Sequence, residues 1–207
     1  MAQRPYTGRV KSEFVSTLEV QGGTYTGTVE EWGTFFVVSP SHVVTNWHVV
    51  SGYLEAVEDD QEDATIQLIF SAGEIATDIE ILGTQKILDL AVIQVNTPMP
   101  EGVHRIAIGK ELEAERLTVT GYAGGQTYTE GIATSFEQID FTPYFNFPGV
   151  YKQGQSGGPI IDEKGVLVGV LWGSDWPEAE LGYGTRVDGV RWILEKYAPE
   201  VLKLKGN

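Results

Sequence analysis

Gly154-Gln155-Ser156-Gly157-Gly158-Pro159 is the stretch on which the reading of this 207-residue chain turns. A serine hydroxyl is a useful nucleophile only where it stands exposed beside a base, with backbone N–H groups converging where an oxyanion forms. Glycines on both sides supply the backbone angles and close approach that such a loop requires. A Gly-rich turn between strands is the plain alternative. The hexapeptide therefore gains meaning only if the chain also holds a base and an acid to orient it.

Three histidines are available as the base. His48 lies in Val43-Val44-Thr45-Asn46-Trp47-His48-Val49-Val50, just after an apolar strand, where a polar ring can look into a cleft. His42 opens that strand and reads as a strand residue, and His104 falls in a charged mid-chain connection and reads as solvated. The three lack metal-ligand spacing, so no metal site is expected. Asp89 immediately precedes Leu90-Ala91-Val92-Ile93-Gln94-Val95, a strongly apolar strand. An acid at that boundary is partly buried and needs a partner, or else caps a turn.

Chain order separates the hydrolase architectures. The G-x-S-x-G elbow of α/β-hydrolases needs a histidine after the serine, and none follows His104. The subtilisin order needs an aspartate before the histidine, and residues 1–47 contain none. His48, Asp89, Ser156 is the order that chymotrypsin-like proteases use.

Outward from these motifs the chain has the rhythm of short strands. β-Branched and aromatic runs are expected as strands at 14–20, 24–30, 34–39, 42–45, 65–70, 75–82 and 90–95. A second set is expected at 117–122, 127–134, 137–141, 158–161, 166–171 and 182–187. Turn residues lie between most of them, which favours an all-β barrel or sandwich over alternating βα units. Residues 96–114, with two prolines, read as the connection between two β units. Val190, Ile193, Leu194 and Tyr197 recur with helical period, so a C-terminal helix over 188–204 is expected. Helix signals elsewhere are weak.

Composition narrows the partners. With 14 Lys and Arg against 29 Asp and Glu the net charge is −15, a surface that repels phosphate backbones and anionic lipids. Neither nucleic acid nor membrane is therefore expected as a partner. The chain has no cysteine, which excludes a thiolate nucleophile and Cys-based zinc. With no apolar leader visible, a soluble protein is expected, the cytoplasm favoured and secretion left open. The acidic stretch Glu58-Asp59-Asp60-Gln61-Glu62-Asp63 reads as a solvated loop; it lacks the EF-hand pattern.

The three motifs together resemble the trypsin/chymotrypsin-fold serine proteases, in motif style the HtrA-type (Deg) protease domain without a PDZ domain. Thr45-Asn46-Trp47-His48-Val49-Val50 is similar to that group's T-N-x-H-V-V, and Asp89-Leu90-Ala91-Val92-Ile93 to its D-[LI]-A-V-[LI]. Gly154–Pro159 matches the serine motif except at Gln155, where the group has Asn and trypsins Asp. Trp172-Gly173 falls where trypsins carry the W-G of the substrate-binding strand. The resemblance implies one domain over 1–207: two antiparallel six-stranded β-barrels, over 10–100 and 110–187, with the C-terminal helix after them. It further implies His48, Asp89 and Ser156 as the catalytic triad, Gly154 and Ser156 N–H groups as the oxyanion hole, and no cofactor. The substrate is then a protein or peptide.

The departures carry expectations of their own. Uncharged Gln155 cannot form the ion pair of trypsin-like zymogens, so the serine loop is expected to be set without a newly cut N-terminus. By the same resemblance Val150 lies at the specificity-pocket floor and Gly182 on its wall, while Val170 stands where glutamate-specific relatives carry His. Leu171, Trp172 and Gly173 form the substrate-binding strand. Cleavage after an uncharged, apolar residue is expected, or after a small one if Tyr151 fills the pocket. The aromatic stretch 141–151 reads first as core packing. A catalytically silent or latent relative, which binds peptides by β-strand addition and needs a partner for activity, stays open as the alternative.

Overall fold

The structure is a computed structural model and describes residues 4–110, 115–140, 142–149, 151–174 and 180–204. Two long strands dominate its first half. Thr7–Val20 (β1) and Gly23–Ser39 (β2) pair antiparallel from Thr7↔Phe36 to Val20↔Gly23. His42–Thr45 (β3), Thr65–Phe70 (β4), Ile75–Ala76 (β5), Ile79–Gln85 (β6) and Leu90–Val95 (β7) complete a sheet ordered β5-β4-β1-β2-β3-β7-β6.

The second half repeats the plan. Leu117–Ala123 (β8), Thr127–Ala133 (β9), Glu137–Gln138 (β10), Tyr144–Pro148 (β11), Pro159–Ile161 (β12), Leu167–Ser174 (β13) and Leu181–Arg186 (β14) form a sheet ordered β10-β11-β14-β13-β12-β8-β9. All named strand pairings are antiparallel. Among the described residues each half-barrel thus has six strands of three residues or more, plus the two-residue β5 or β10 at its edge. The two-sheet, chymotrypsin-like all-β fold expected from the motifs is the fold observed.

Period-two alternation explains how the sheets join. On β2, Phe35 and Val37 face the core inside the first sheet with Val43, Leu68, Phe70, Ala91 and Ile93. Phe36 and Val38 face the opposite way, into a core shared with Ile161, Leu167 and Val170 of the second half. Leu90 and Val92 of β7 do the same against Ala91 and Ile93. These strands are buried on both faces, which is why their sequences read as unbroken apolar runs. Phe145, Phe147, Leu117, Val119, Ile160, Val168 and Leu171 fill the second half-barrel.

Two α-helices complete the described residues. Val187–Tyr197 (α2) begins one residue before the expected helix, ends at Tyr197, and is followed by a 3-10 turn over Val201–Lys203. Its Val190, Ile193 and Leu194 enter the shared core. Trp47–Glu58 (α1) corrects the sequence reading, which had no helix there. The acidic stretch is the exposed turn that ends α1. β11 is a further correction: residues 144–148 are a strand whose Phe145 and Phe147 point into the core, while of the strand expected at 137–141 only β10 is found among the described residues and Phe141 lies outside them. Among the described residues no helix is long and apolar enough to cross a membrane.

Candidate active site

The site is built where the two half-barrels meet. β7 is buried on both faces, so the residue that precedes it is drawn to the junction: Asp89 is 4% exposed and ends the turn that feeds β7. Its backbone is left-handed, with φ of 50°, and its N–H donates to the Lys86 carbonyl at 3.1 Å. Asn46 precedes α1 in extended conformation and places no side-chain cap on it. Its amide instead donates to the Asp89 carbonyl at 2.7 Å.

The helix is capped by Asp89 itself. Asp89 Oδ1 accepts the His48 N–H at 2.9 Å, in the first turn of α1, where the helix dipole favours a negative group. Asp89 Oδ2 lies 2.6 Å from His48 Nδ1. One carboxylate therefore fixes both the backbone and the ring of the histidine, and leaves Nε2 as the nitrogen free of Asp89. His48 is partly exposed, with its side chain 39% accessible.

Ser156 follows Gly154 and Gln155 in a loop pinned from several sides. The Ser156 carbonyl accepts the Thr34 N–H at 2.8 Å, and the Gly154 carbonyl accepts Thr34 Oγ1 at 2.9 Å. Thr34, fully buried on β2, also takes the Tyr122 N–H on its hydroxyl at 3.0 Å. Gly157 adopts φ of 84°, and a Cβ there would collide with the Thr34 carbonyl and the Thr45 hydroxyl. Gln155 is buried, and its amide accepts the Lys152 N–H at 2.5 Å and donates to Thr129 Oγ1 at 2.7 Å. Among the described residues, neither the Gly154 nor the Ser156 N–H donates to a backbone carbonyl.

Opposite this loop, β13 carries a bulge. Leu171 pairs with Gly184 and Gly173 with Tyr183, leaving Trp172 as the extra residue. Its carbonyl accepts Ser156 Oγ at 3.3 Å, so the hydroxyl is turned toward Trp172 rather than His48. The Trp172 ring stacks on Tyr144 at 5.5 Å and meets the Tyr183 edge at 5.9 Å. His48, Trp172, Gly173, Ser174 and Tyr183 line a cavity of about 490 Å³.

The remaining expected residues fall in different places. Val170 and Leu171 are fully buried in the two cores and do not line that cavity, although the Leu171 carbonyl accepts the Gly157 N–H at 2.9 Å. Gly182 lies against the Tyr151 ring, where a Cβ would collide. Burial pushes the Tyr151 phenol up to about 12, so the group is neutral. Val150 lies outside the described residues. His104 is exposed, and His42 is buried on β3 away from the cavity. Thr34, Thr129 and Asn46 were missed as loop and acid holders; Asn46 sits inside the histidine motif, whereas no local pattern marks the two threonines.

Residues 33–170 match the profile of the trypsin-like peptidase domain family. The chain belongs to that family. This trypsin-like peptidase domain is 31% identical over 165 residues to the serine protease Rv3671c of Mycobacterium tuberculosis, covering 73% of this chain and 38% of that protein. It is 24% identical over 199 residues to Protease Do-like 1, chloroplastic, of Arabidopsis thaliana, covering 88% of this chain and 41% of that one. The chain thus spans about two fifths of the length of these relatives. Solved structures share its fold. The active form of Rv3671c protease superposes with a TM-score of 0.69 at 22% identity, over 94% of this chain and 81% of that one. The HtrA-type protease AlgW with a decapeptide gives 0.68 at 15%, over 96% and 65%.

Proposed function

We propose that this trypsin-like peptidase domain is a serine endopeptidase that cleaves peptide bonds through an acyl-enzyme on Ser156. The observation that carries the reading is the pair of hydrogen bonds that Asp89 accepts from His48, beside a cavity lined by Trp172, whose carbonyl meets Ser156 Oγ. In this scheme Asp89 keeps the proton on Nδ1, so Nε2 is the base. Ser156 Oγ attacks the substrate carbonyl as its proton passes to Nε2, and the oxyanion gathers the Gly154 and Ser156 N–H groups. His48 then hands the proton to the leaving amine, and water repeats the sequence on the acyl ester. The first step requires Ser156 Oγ to turn from the Trp172 carbonyl to His48. Catalytic hydrogen bonds commonly close only when substrate is bound.

Two features of Tyr151 support cleavage after a small, uncharged residue. Tyr151 lies across Gly182, and its phenol carries no charge to pair with a basic or acidic side chain. The Gln155 amide is held by uncharged partners, which supports a serine loop set without a trimmed N-terminus. Peptides with Ala, Val, Lys or Glu before the scissile bond test the reading. The expected result is hydrolysis after Ala or Val by the wild type and none by Ser156→Ala. Equal hydrolysis by both proteins would overturn it.

A second reading rests on the Ser156–Trp172 bond: a latent or peptide-binding protein that needs a partner to turn the hydroxyl. Activity appearing only when a partner protein is added would favour it.

A further inference from the structure

The peptide plane between Gln153 and Gly154 decides whether the Gly154 N–H faces a substrate, because a trans peptide points its N–H opposite its carbonyl. That carbonyl is held: Gln153 O accepts the Gly124 N–H at 2.8 Å. Gly124 belongs to the turn between β8 and β9, and Gly154 presses so closely on this turn that a Cβ would lie 2.6 Å from the Tyr122 carbonyl and 2.7 Å from the Gly125 nitrogen. The orientation of the oxyanion donor is thus only as firm as the turn.

The turn is secured from the other half-barrel. Trp32 of β2 lies under Gly125, where a Cβ would collide with its ring. Arg9 of β1 reaches across: its guanidinium sits 5.9 Å from the Trp32 ring and 5.7 Å from the Tyr122 ring, and donates to the Gly125 carbonyl at 3.3 Å. Lys11 covers Trp32 at 5.6 Å, and the Trp32 indole N–H donates to Glu30 Oε1 at 2.5 Å. Cation–π contacts of this kind attract the guanidinium to the ring face and hold the two side chains together. Both Trp32 and Arg9 are partly exposed, so neither is needed to fill a core.

We infer that Trp32 and Arg9 are positioning residues that clamp the Gly124–Gly125 turn and thereby fix the oxyanion donor Gly154. The inference deepens the proposed reaction and rests on it. The clamp belongs to a strand pair that runs on past it to the β1–β2 turn at one end, so the serine loop is tied to the first half-barrel through Trp32 as well as through Thr34.

Two readouts on Trp32→Ala, Trp32→Phe and Arg9→Lys test the clamp. The first is amide exchange at Gly124 and Gln155, with Ala91 and Ile93 of β7 as internal controls. Trp32→Ala is expected to speed exchange at the two loop amides by about tenfold or more and leave β7 unchanged; Trp32→Phe, which keeps a ring under Gly125, restores most protection. The second is steady-state hydrolysis of an Ala-containing peptide. Here Trp32→Ala is expected to lower kcat about tenfold or more with KM nearly unchanged, short of the roughly 10²–10³-fold cost of deleting an oxyanion donor. Arg9→Lys falls between Trp32→Ala and wild type. If exchange responds while the wild type shows no Ser156-dependent hydrolysis, the clamp stands and the proposed reaction falls. If the wild type hydrolyses the peptide and neither readout moves in a folded Trp32→Ala protein, the clamp is overturned.

Discussion

Asp89 gives both oxygens to His48: Oδ1 takes the backbone N–H at 2.9 Å and Oδ2 meets Nδ1 at 2.6 Å. The first bond caps α1 and the second sets the ring, so one buried carboxylate joins local folding to the proposed chemistry. Asn46, bonded to the Asp89 carbonyl, and the left-handed turn into β7 hold the backbone that carries this carboxylate.

Asp89→Asn separates the two roles. Its amide oxygen can still accept one bond, but an amide N–H facing Nδ1 selects the wrong imidazole tautomer. The expected kcat/KM falls about 10⁴-fold. The melting temperature falls by only a few degrees, in keeping with the roughly 1 kcal/mol typical of a weakened helix cap. A loss of activity of less than tenfold, measured on the same protein preparation, would count against the orienting role.

Gly157→Ala attacks the loop through its backbone. The φ of 84° disfavours any L side chain, and the added methyl collides with the Thr34 carbonyl. Destabilisation by about 3 kcal/mol is expected from the combined strain and clash. Urea unfolding monitored by tryptophan fluorescence reads it; an unchanged midpoint would show that the loop relaxes elsewhere.

Much of this was legible in the sequence, and the misses have physical causes. The three motifs are short and local because the proposed attack, proton transfer and orientation each demand particular residue types beside particular backbone. β7 was readable because both its faces are buried. α1 was not, because Trp47-His48-Val49-Val50 continues the β-branched run of β3, and its cap comes from Asp89, forty-one residues along the chain. Gly52 weakened the helical signal further, yet the Phe14 ring occupies the space where its side chain would be. β1 starts at Thr7 rather than Phe14, and its first charged residues, Arg9 and Lys11, lie over the Trp32 ring while Val10 between them is buried. Thr34 and Thr129 act only through contacts that folding creates.

Tyr151→Ala is expected to widen the pocket beside Gly182. Cleavage after Leu or Phe then rises relative to Ala by about tenfold or more, the scale set by one or two methylenes in an apolar pocket. Competition between paired peptides, read by mass spectrometry, measures the ratio. An unchanged preference would place the selectivity elsewhere.

His42 governs a pH dependence of stability that is separate from activity. The ring is buried against Ser39 Oγ at 2.8 Å, and burial holds its pKa below the usual 6.5, with Glu200 opposing the shift. The folded state therefore binds a proton less readily than the unfolded chain. Its contribution to stability is complete above about pH 6.5 and is lost as pH falls through that value toward the lower folded pKa. Between pH 7.5 and 5.5 the wild type is expected to lose more stability than His42→Gln. Parallel pH slopes for the two proteins would contradict this.

The most direct measurement is the intact mass of the protein after exposure to a fluorophosphonate probe, with Ser156→Ala and His48→Ala as controls. The proposed Ser156–His48 pair is expected to give one adduct on the wild type, mapped to Ser156, and none on either control. A folded wild type that takes up no adduct, or one labelled equally in the His48→Ala protein, would contradict it.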